Sequence, residues 1–288
     1  MSILVDWNQI AIGSVMVSLN RGEELSAKLV RHIILNQLRF YRSKFNGDFG
    51  EMVICCDSRH YWRRDFFPNY KIGRKKARDE STHDWNAIFE CIHAVIDELR
   101  EFFPYKVIDV YGAEADDIIA TLVYDTTEKT LILSSDKDFI QLQGRLISQY
   151  SPIAKKMLKK QDPKDYLHEH IMRGDTGDGV PNILSADDTF ITDKRQSPIR
   201  KNMIANVMEA LDRFPPDKVH HLAKCTKDTW IRNWQRNETL IDLHKIPYEL
   251  TTEIRKEFRN AKVGDRGQLL NHFIESGLSA LIQDIGDF

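Results

Sequence analysis

The sequence predicts an α/β fold, with a mostly parallel central sheet flanked by helices and then a C-terminal helical domain. Three observations carry this reading. Short β-branched runs alternate with helical periods through the first half of the chain, as a parallel sheet with crossover helices requires. Past about residue 160 the strand runs fade, and amphipathic periods separated by polar turns take over. The 288 residues, 42% of them hydrophobic, suffice for one large domain or two with a real core and no disulfides.

Strands are expected over residues 3–7, 52–57, 106–110, 130–135 and 145–149. A helix over 26–45 turns Leu29, Ile33, Leu38, Tyr41 and Phe45 inward. The clearest helix begins after Ser81 and Thr82. It lines up Trp85, Ile88, Phe89, Ile92, Val95, Ile96, Leu99, Phe102 and Phe103 on one face until Pro104 stops it. Another starts at Glu114 and carries Ile118, Ile119, Leu122 and Val123. The later half is punctuated by turns at 174–181, 185–198 and Pro215-Pro216, and closes with an amphipathic helix over 268–284 that contains Gly277. The expected domains are 1–165, with a basic segment at 59–80, and 166–288.

Composition excludes several classes. No apolar run approaches the ~18 residues of a membrane span. The first such run, Ile3-Leu4-Val5, is cut by Asp6 and lacks a basic lead, so neither export nor insertion is expected and the cytoplasm is. Cys55, Cys56, Cys91 and Cys225 make no C-x-x-C pair, and adjacent strand residues point to opposite faces, so Cys55 and Cys56 are poorly placed to chelate one metal. Buried thiols of a reducing compartment are expected.

The formal net charge of −2 hides strong segregation. From Arg59 to Arg78 there are eight basic residues (Arg59, Arg63, Arg64, Lys71, Arg74, Lys75, Lys76, Arg78) and one acid, Asp65. From Asp109 to Asp138 eight acids face only Lys129 and Lys137. A basic gripping segment and an acidic pocket suit a polyanionic substrate held by the one and attacked through cations bound by the other.

Asp6, Asp57 and Asp136 each close a predicted strand, where the ligand crevice of an open parallel sheet lies. Glu114, Asp116 and Asp117 open a helix, Asp138 follows Asp136 by two, and Asp175 and Asp178 sit three apart in a glycine-rich loop. Each has an ordinary reading alone: a helix start favours acids through its macrodipole, and strand ends and glycine turns favour Asp. Nine carboxylates on one rim do not, since two of them 4 Å apart repel by roughly 4 kcal/mol at an effective dielectric near 20. Hard oxygen ligands without matching His or Cys favour Mg²⁺ or Mn²⁺ over zinc. No G-x-x-x-x-G-K-[ST], G-x-S-x-G or H-E-x-x-H motif is present, and Gln141 and Ile147 spoil a calcium loop starting at Asp136.

In this order, the residues resemble the 5′ nuclease superfamily of flap endonucleases and 5′ to 3′ exonucleases, and within it the RNase H group of T-even-type bacteriophages. The likeness rests on Leu4-Val5-Asp6, Cys55-Cys56-Asp57, the block from Tyr61 to Phe66, Glu114-Ala115-Asp116-Asp117, Ser134 to Phe139, Gly174-Asp175-x-x-Asp178 and the tail from Phe273 to Phe288. It implies a PIN-like nuclease core and two-metal hydrolysis of phosphodiesters, with two Mg²⁺ replaceable by Mn²⁺. Asp6, Asp57, Asp116 and Asp136 look like the first metal cluster, and Asp138, Asp175 and Asp178 like the second, with Glu114 and Asp117 supporting both. Tyr70, Lys71 and the basic helix after them look like an arch. Lys71 and Arg78, seven apart, would then share a helical face toward the scissile phosphate as catalytic groups beside Asp136, and Tyr70 would stack on a base. Arg63, Arg64, Arg74, Lys75 and Lys76 add to the nucleic-acid grip. With Ile72 as its one long apolar side chain after Tyr70, this segment is expected to be mobile without nucleic acid.

The chain departs from the wider superfamily after Asp178. Most members continue into a glycine-rich helix-hairpin-helix that grips duplex phosphates, often through a potassium ion. Here residues 184–197 contain Asp187, Asp188 and Asp193 and no Gly-x-Gly, while Lys194, Arg195, Arg200 and Lys201 remain to meet the duplex backbone. The resemblance implies removal of RNA primers and adjacent DNA from lagging-strand fragments by a monomer acting on branched or nicked DNA and RNA:DNA hybrid, in the host cytoplasm if phage-encoded, with a single-stranded-DNA-binding protein as partner. Two other readings are a PIN-type endoribonuclease, which lacks the extra ~120 residues of helical region, and a non-catalytic binder of branched DNA, which would be expected to have lost some carboxylates. A haloacid-type phosphatase would need Asp-x-Asp where Asp6-Trp7-Asn8 stands.

Overall fold

A computed structural model describes residues 1–288 except Glu23, Asp193 and Lys224. Asp193, counted above among the acids after the Asp178 loop, thus lies outside the described residues. The chain begins β1 (Ser2–Asp6), α1 (Trp7–Leu19), α2 (Ala27–Phe49) and β2 (Glu51–Cys55). It continues through α3 (Trp62–Phe66), α4 (Ile72–Asp79), α5 (Trp85–Phe102), β3 (Lys106–Ile108) and α6 (Ala115–Tyr124). Then come β4 (Thr130–Leu133), β5 (Ile147–Ser151), β6 (Lys156–Met157), α7 (Pro163–Arg173) and α8 (Lys201–Leu211). Last are α9 (Lys227–Ile241), α10 (Tyr248–Asn260), α11 (Leu269–Glu275) and α12 (Ser279–Ile282), with short 3-10 turns between.

The described residues form two compact units, and their division does not follow a cut near residue 165. The first comprises residues 1–59, 84–160 and 248–288; the second comprises 60–83 and 161–247. The basic segment therefore belongs with the helical unit, and the last forty-one residues return to the sheet unit.

In the sheet unit the strand order is β3-β2-β1-β4-β5-β6, parallel except for the β5–β6 pair. The five parallel strands are largely buried on both faces, as strands covered by crossover helices must be, whereas both residues of the antiparallel β6 are exposed. Ile3, Val5, Met52, Ile54, Leu131 and Leu133 join a core with Ile34, Leu35 and Leu38 of α2 and Ile88, Ile92, Val95 and Leu99 of α5. The alternate residues Leu4, Val53, Ile108 and Ile132 are equally buried on the opposite face, toward α6, which packs on β1 and β2. Chain order reverses between β1 and β4, so the crevice of this sheet opens beyond the carboxyl ends of those two strands.

Helix α1 starts where a strand was expected to end: Trp7 is the first helical residue, because the Asp6 side chain accepts the Gln9 N–H and caps the helix. The tail is not one helix over 268–284. Gly277, at φ +67°, breaks it into α11 and α12, and Phe288 is wholly buried against Phe103 and Phe273. Cys55 and Cys56 are buried thiols, with burial pushing both up; Cys91 and Cys225 are only partly buried, because they sit on half-exposed helix and loop positions. No helix among the described residues is long and apolar enough to cross a membrane.

The helical unit packs Ile171 and Met172 of α7, Ile204 and Val207 of α8, and Trp230 and Trp234 of α9 into one core. A second cluster joins Phe67 and Tyr70 to Val180, Leu240 and Ile241. The basic segment, expected to be mobile without nucleic acid, is helical over Ile72–Asp79, and none of that helix is buried. Lys, Arg and Ala favour helix, and Tyr70, Lys71 and Arg74 tie its first turn to Asp178 within the unit.

Candidate active site

Within the sheet unit, three strand ends and one helix start carry seven of the nine carboxylates. Asp6 ends β1, is 7% exposed, and accepts the Ser134 hydroxyl at 2.8 Å from the end of β4. Asp57 follows β2 and accepts from the Asn8 amide and from the Ala115 N–H at the start of α6, each at 2.6 Å. Glu114 and Asp117 form a capping box in which Asp117 accepts the Glu114 N–H at 2.9 Å, and both are buried. Asp116, between them, is half-buried. Asp136 receives the Asp138 N–H at 3.0 Å, and its own N–H donates to Ser134 Oγ at 3.0 Å, so both aspartates ride on one tight turn. Gln149 of β5 fastens that turn by donating to the Ser134 and Asp136 carbonyls.

The electrostatics of this rim are those of crowded, partly buried carboxylates. The Asp6 carboxyl is pushed up to about 7, first by burial, then by the charge of Asp57, with Asp136 adding to it and the Ser134 hydrogen bond working against it. A buried carboxylate beside two others favours either a proton or a metal ion.

Within the helical unit, α7 ends at Gly174, whose φ of +66° turns the chain into the Asp175 loop. A Cβ there would fall 2.3 Å from the Val180 carbonyl oxygen, so only glycine fits. Asp175 and Val180 exchange backbone hydrogen bonds, and Asp175 Oδ1 accepts the Asp178 N–H. His170 Nε2 lies 3.4 Å from Asp175 Oδ2 and is the leading cause holding that carboxyl below the usual range. Asp178 accepts the Tyr70 hydroxyl at 2.9 Å and pairs with Arg74 at 2.5 Å and Lys71 at 3.5 Å.

Several arch residues sit differently from the sequence-based expectation. Lys71 does not share a helical face with Arg78: at φ +56° it is the cap before α4, 6% exposed, with its ammonium over the rings of Tyr61 and Tyr70. Tyr70 is 3% exposed and its hydroxyl is spent on Asp178, so its ring is not offered to a base. Arg63 is 2% exposed and donates through Nε to the Leu240 carbonyl, which makes it a strut rather than a surface grip. Arg64 is half-buried over the Tyr61 ring. Arg74, Lys75, Lys76, Lys194, Arg195, Arg200 and Lys201 are exposed and Arg78 half-exposed, as phosphate contacts require. Sequence reasoning missed Asn8, Ser134, Gln149 and His170. Only His170 left a signal, at the end of a helix one turn before the Gly174-Asp175 loop.

A buried carboxylate crevice on a parallel sheet and a carboxylate loop on a helical unit suit a nuclease, and the chain belongs to the 5′-3′ exonuclease family, that of 5′ flap endonucleases and 5′-3′ exonucleases. The family described as "5'-3' exonuclease, N-terminal resolvase-like domain" matches residues 16–170, and that described as "T4 RNase H, C terminal" matches residues 164–288. In particular, the chain is 34% identical over 294 residues to the Ribonuclease H of Enterobacteria phage T4, covering 99% of this chain and 95% of that protein. It is also 30% identical over 134 residues to the flap endonuclease Xni of Shewanella baltica strain OS223, covering 42% of this chain and 47% of that one. Among solved structures it shares its fold with a bacteriophage T5 flap endonuclease crystallised with DNA and metal ions, with a TM-score of 0.63, 15% identity and coverage of 90% and 97% of the two chains. A T5 5′-exonuclease with bound zinc gives a TM-score of 0.60, 14% identity and coverage of 91% and 99%.

Proposed function

We propose that this nuclease is Mg²⁺-dependent, removing RNA primers and adjacent DNA from the 5′ ends of lagging-strand fragments. One observation carries the metal assignment. Asp6, wedged against Asp57 and Asp136 and pushed up to about 7, belongs to a site whose charge calls for a cation. The donors are carboxylate oxygens without a sulfur ligand, which suits Mg²⁺, with Mn²⁺ as substitute. Asp6, Asp57, Asp116 and Asp136 would hold an ion, supported by Glu114, Asp117 and Asp138, while Asp175 and Asp178 are the metal-binding carboxylates of the helical unit. Bound Mg²⁺ supplies activation of a water and stabilisation of the leaving oxygen of the phosphodiester.

The protein's own groups do the rest. Ser134 and Asn8 aim the Asp6 and Asp57 oxygens, and a cation held there would favour the ionised form of Asp6. Lys71 and Arg74, held against Asp178, keep positive charge beside the helical unit's carboxylates, where a phosphate would be drawn. Exposed Arg74, Lys75 and Lys76, with half-exposed Arg78, suit a 5′ single strand; Arg200 and Lys201 at the start of α8 suit the duplex. The substrates proposed are flapped or nicked DNA and RNA:DNA hybrid, the working form a monomer in the host cytoplasm. A single-stranded-DNA-binding protein is the proposed partner, with the exposed Leu270 and Ile274 of α11 as its landing place.

A time course on a 5′-labelled DNA flap beside a nicked RNA:DNA hybrid, in Mg²⁺ and in EDTA, tests this reading. Short 5′ products from both substrates in Mg²⁺ alone are expected; cleavage that persists in EDTA contradicts it.

A further inference from the structure

Helix α9 carries a buried polar face that the carboxylate chemistry does not use. Asn233, Arg236 and Asn237, at i, i+3 and i+4, are 1%, 5% and 0% exposed. The Arg236 guanidinium donates to the Pro181 carbonyl at 2.8 Å, the Asn182 carbonyl at 3.2 Å and the Ser185 carbonyl at 3.3 Å. It also pairs with Asp187 at 2.5 Å, and its Nε donates to Asn237 Oδ1 at 2.9 Å. Asn237 donates to the Ile171 and Pro181 carbonyls, and Asn233 to those of Ile183 and Ser185. Four carbonyls of one turn, those of residues 181, 182, 183 and 185, thus face donors from a single helix.

Converging carbonyls make a seat for a cation, and in this turn the cation is covalently attached. Burial pushes the Arg236 pKa down, and the Asp187 carboxylate beside it works the other way. A planar guanidinium has the fork geometry to serve several carbonyls and a carboxylate at once, which a spherical ion or a lysine does not reproduce. The potassium seat expected of the wider superfamily therefore does not fit this chain: the carbonyls it would need are already occupied.

We propose that Arg236 is a built-in cation, a positioning residue that holds the 181–187 turn in its DNA-binding shape without a monovalent metal ion. The turn transmits that order in two directions. The Asn182 side-chain amide donates to the Ser197 carbonyl, its backbone N–H donates to Gln196 Oε1, and Ser185 Oγ accepts the Ser197 N–H, which fixes the approach to Arg200 and Lys201. On its other side the Asp187 carbonyl accepts the Asn69 amide, and the Phe67 ring lies 6.0 Å from the guanidinium, next to the Tyr70–Asp178 bond. The choice of duplex DNA as ligand rests on the function proposed above; independence from a monovalent ion does not.

The full-length protein is titrated onto a 5′-flap duplex in EDTA, by fluorescence anisotropy, in KCl, NaCl and N-methylglucamine chloride at one ionic strength. Its melting temperature is followed in the same three salts without DNA. Kd is expected to agree within about twofold across the salts, with matching melting temperatures. Tightening of about fivefold or more in KCl over N-methylglucamine, or a clear rise in melting temperature there, would overturn the proposal. Arg236→Ala is expected to bind about tenfold more weakly and to recover with millimolar guanidinium, which leaves the wild type unmoved. A folded variant that binds like wild type, or whose loss guanidinium does not relieve, would also overturn it. If the variant does not fold, the wild-type salt series decides. A wild type that binds the flap in no salt counts against the proposed substrate, while the melting series still judges Arg236.

Discussion

The Lys71 ammonium lies 3.5 Å from the Asp178 carboxylate, reached from a left-handed backbone position just before α4. Arg74 and the Tyr70 hydroxyl share the same carboxylate. That carboxylate already has two cationic partners, so a metal ion held there, as proposed above, would compete with Lys71, and the displaced ammonium would then turn to a phosphate.

Lys71→Ala should therefore separate two quantities. Removing the competing cation should lower the Mg²⁺ concentration at half-maximal activity. Removing a charge that stabilises the transition state should cut single-turnover cleavage on the order of 10² to 10³, with flap affinity much less affected. Single-turnover rates over a Mg²⁺ titration read both. A variant tenfold weaker in binding and unchanged in cleavage would reduce Lys71 to a phosphate anchor.

Asp6 sets a pH dependence with a definite sign. Its carboxyl titrates near 7 when folded against an ordinary value of 3.8, so between those values the folded chain holds more protons than the unfolded one. Stability in EDTA should fall as pH rises from about 4 to about 7 on this account. Asp6→Asn, which keeps the cap on α1, should remove that part of the slope and raise the melting temperature at pH 8 by on the order of 5 °C. Thermal melts of both proteins across the pH range, in EDTA, test it; a parallel pair of curves would show that Asp6 is not strained by its neighbours.

Phe288 anchors the last segment to the sheet unit, wholly buried against Phe103 and Phe273. Phe288→Ala should cost about 3–5 kcal/mol, the range for deleting a buried aromatic ring. Urea unfolding followed by tryptophan fluorescence would show it. A loss under about 0.5 kcal/mol would mean that the tail is peripheral.

Much of this was legible beforehand, for reasons that differ by residue. Asp6, Asp57 and Asp136 could be read because hydrophobic runs mark strands and an acid at a strand's carboxyl end lies on the crevice rim. Lys71 was misplaced because its seven-residue spacing from Arg78 implies a shared face only inside a helix, and Lys71 stands just outside one. Arg63 and Tyr70 looked like surface groups in a basic, aromatic stretch; their burial depends on Leu240 and Asp178, more than a hundred residues away. A separation of 51 to 55 residues hid Arg236, since nothing near it in sequence reveals the carbonyls it gathers. The return of 248–288 to the sheet unit was equally silent, because helix α10 meets α6 and β3 only in the folded chain.

The central claim is that the rim carboxylates bind the metal that does the chemistry while basic residues supply affinity. Asp136→Asn keeps shape and size but removes a charge from that rim, so its cleavage of a 5′-flap substrate in Mg²⁺, measured beside its affinity for the same flap, is the most direct test. The expected result is cleavage reduced to background with flap affinity close to that of wild type and still salt-dependent. Near-wild-type cleavage by this variant in Mg²⁺ would contradict the assignment.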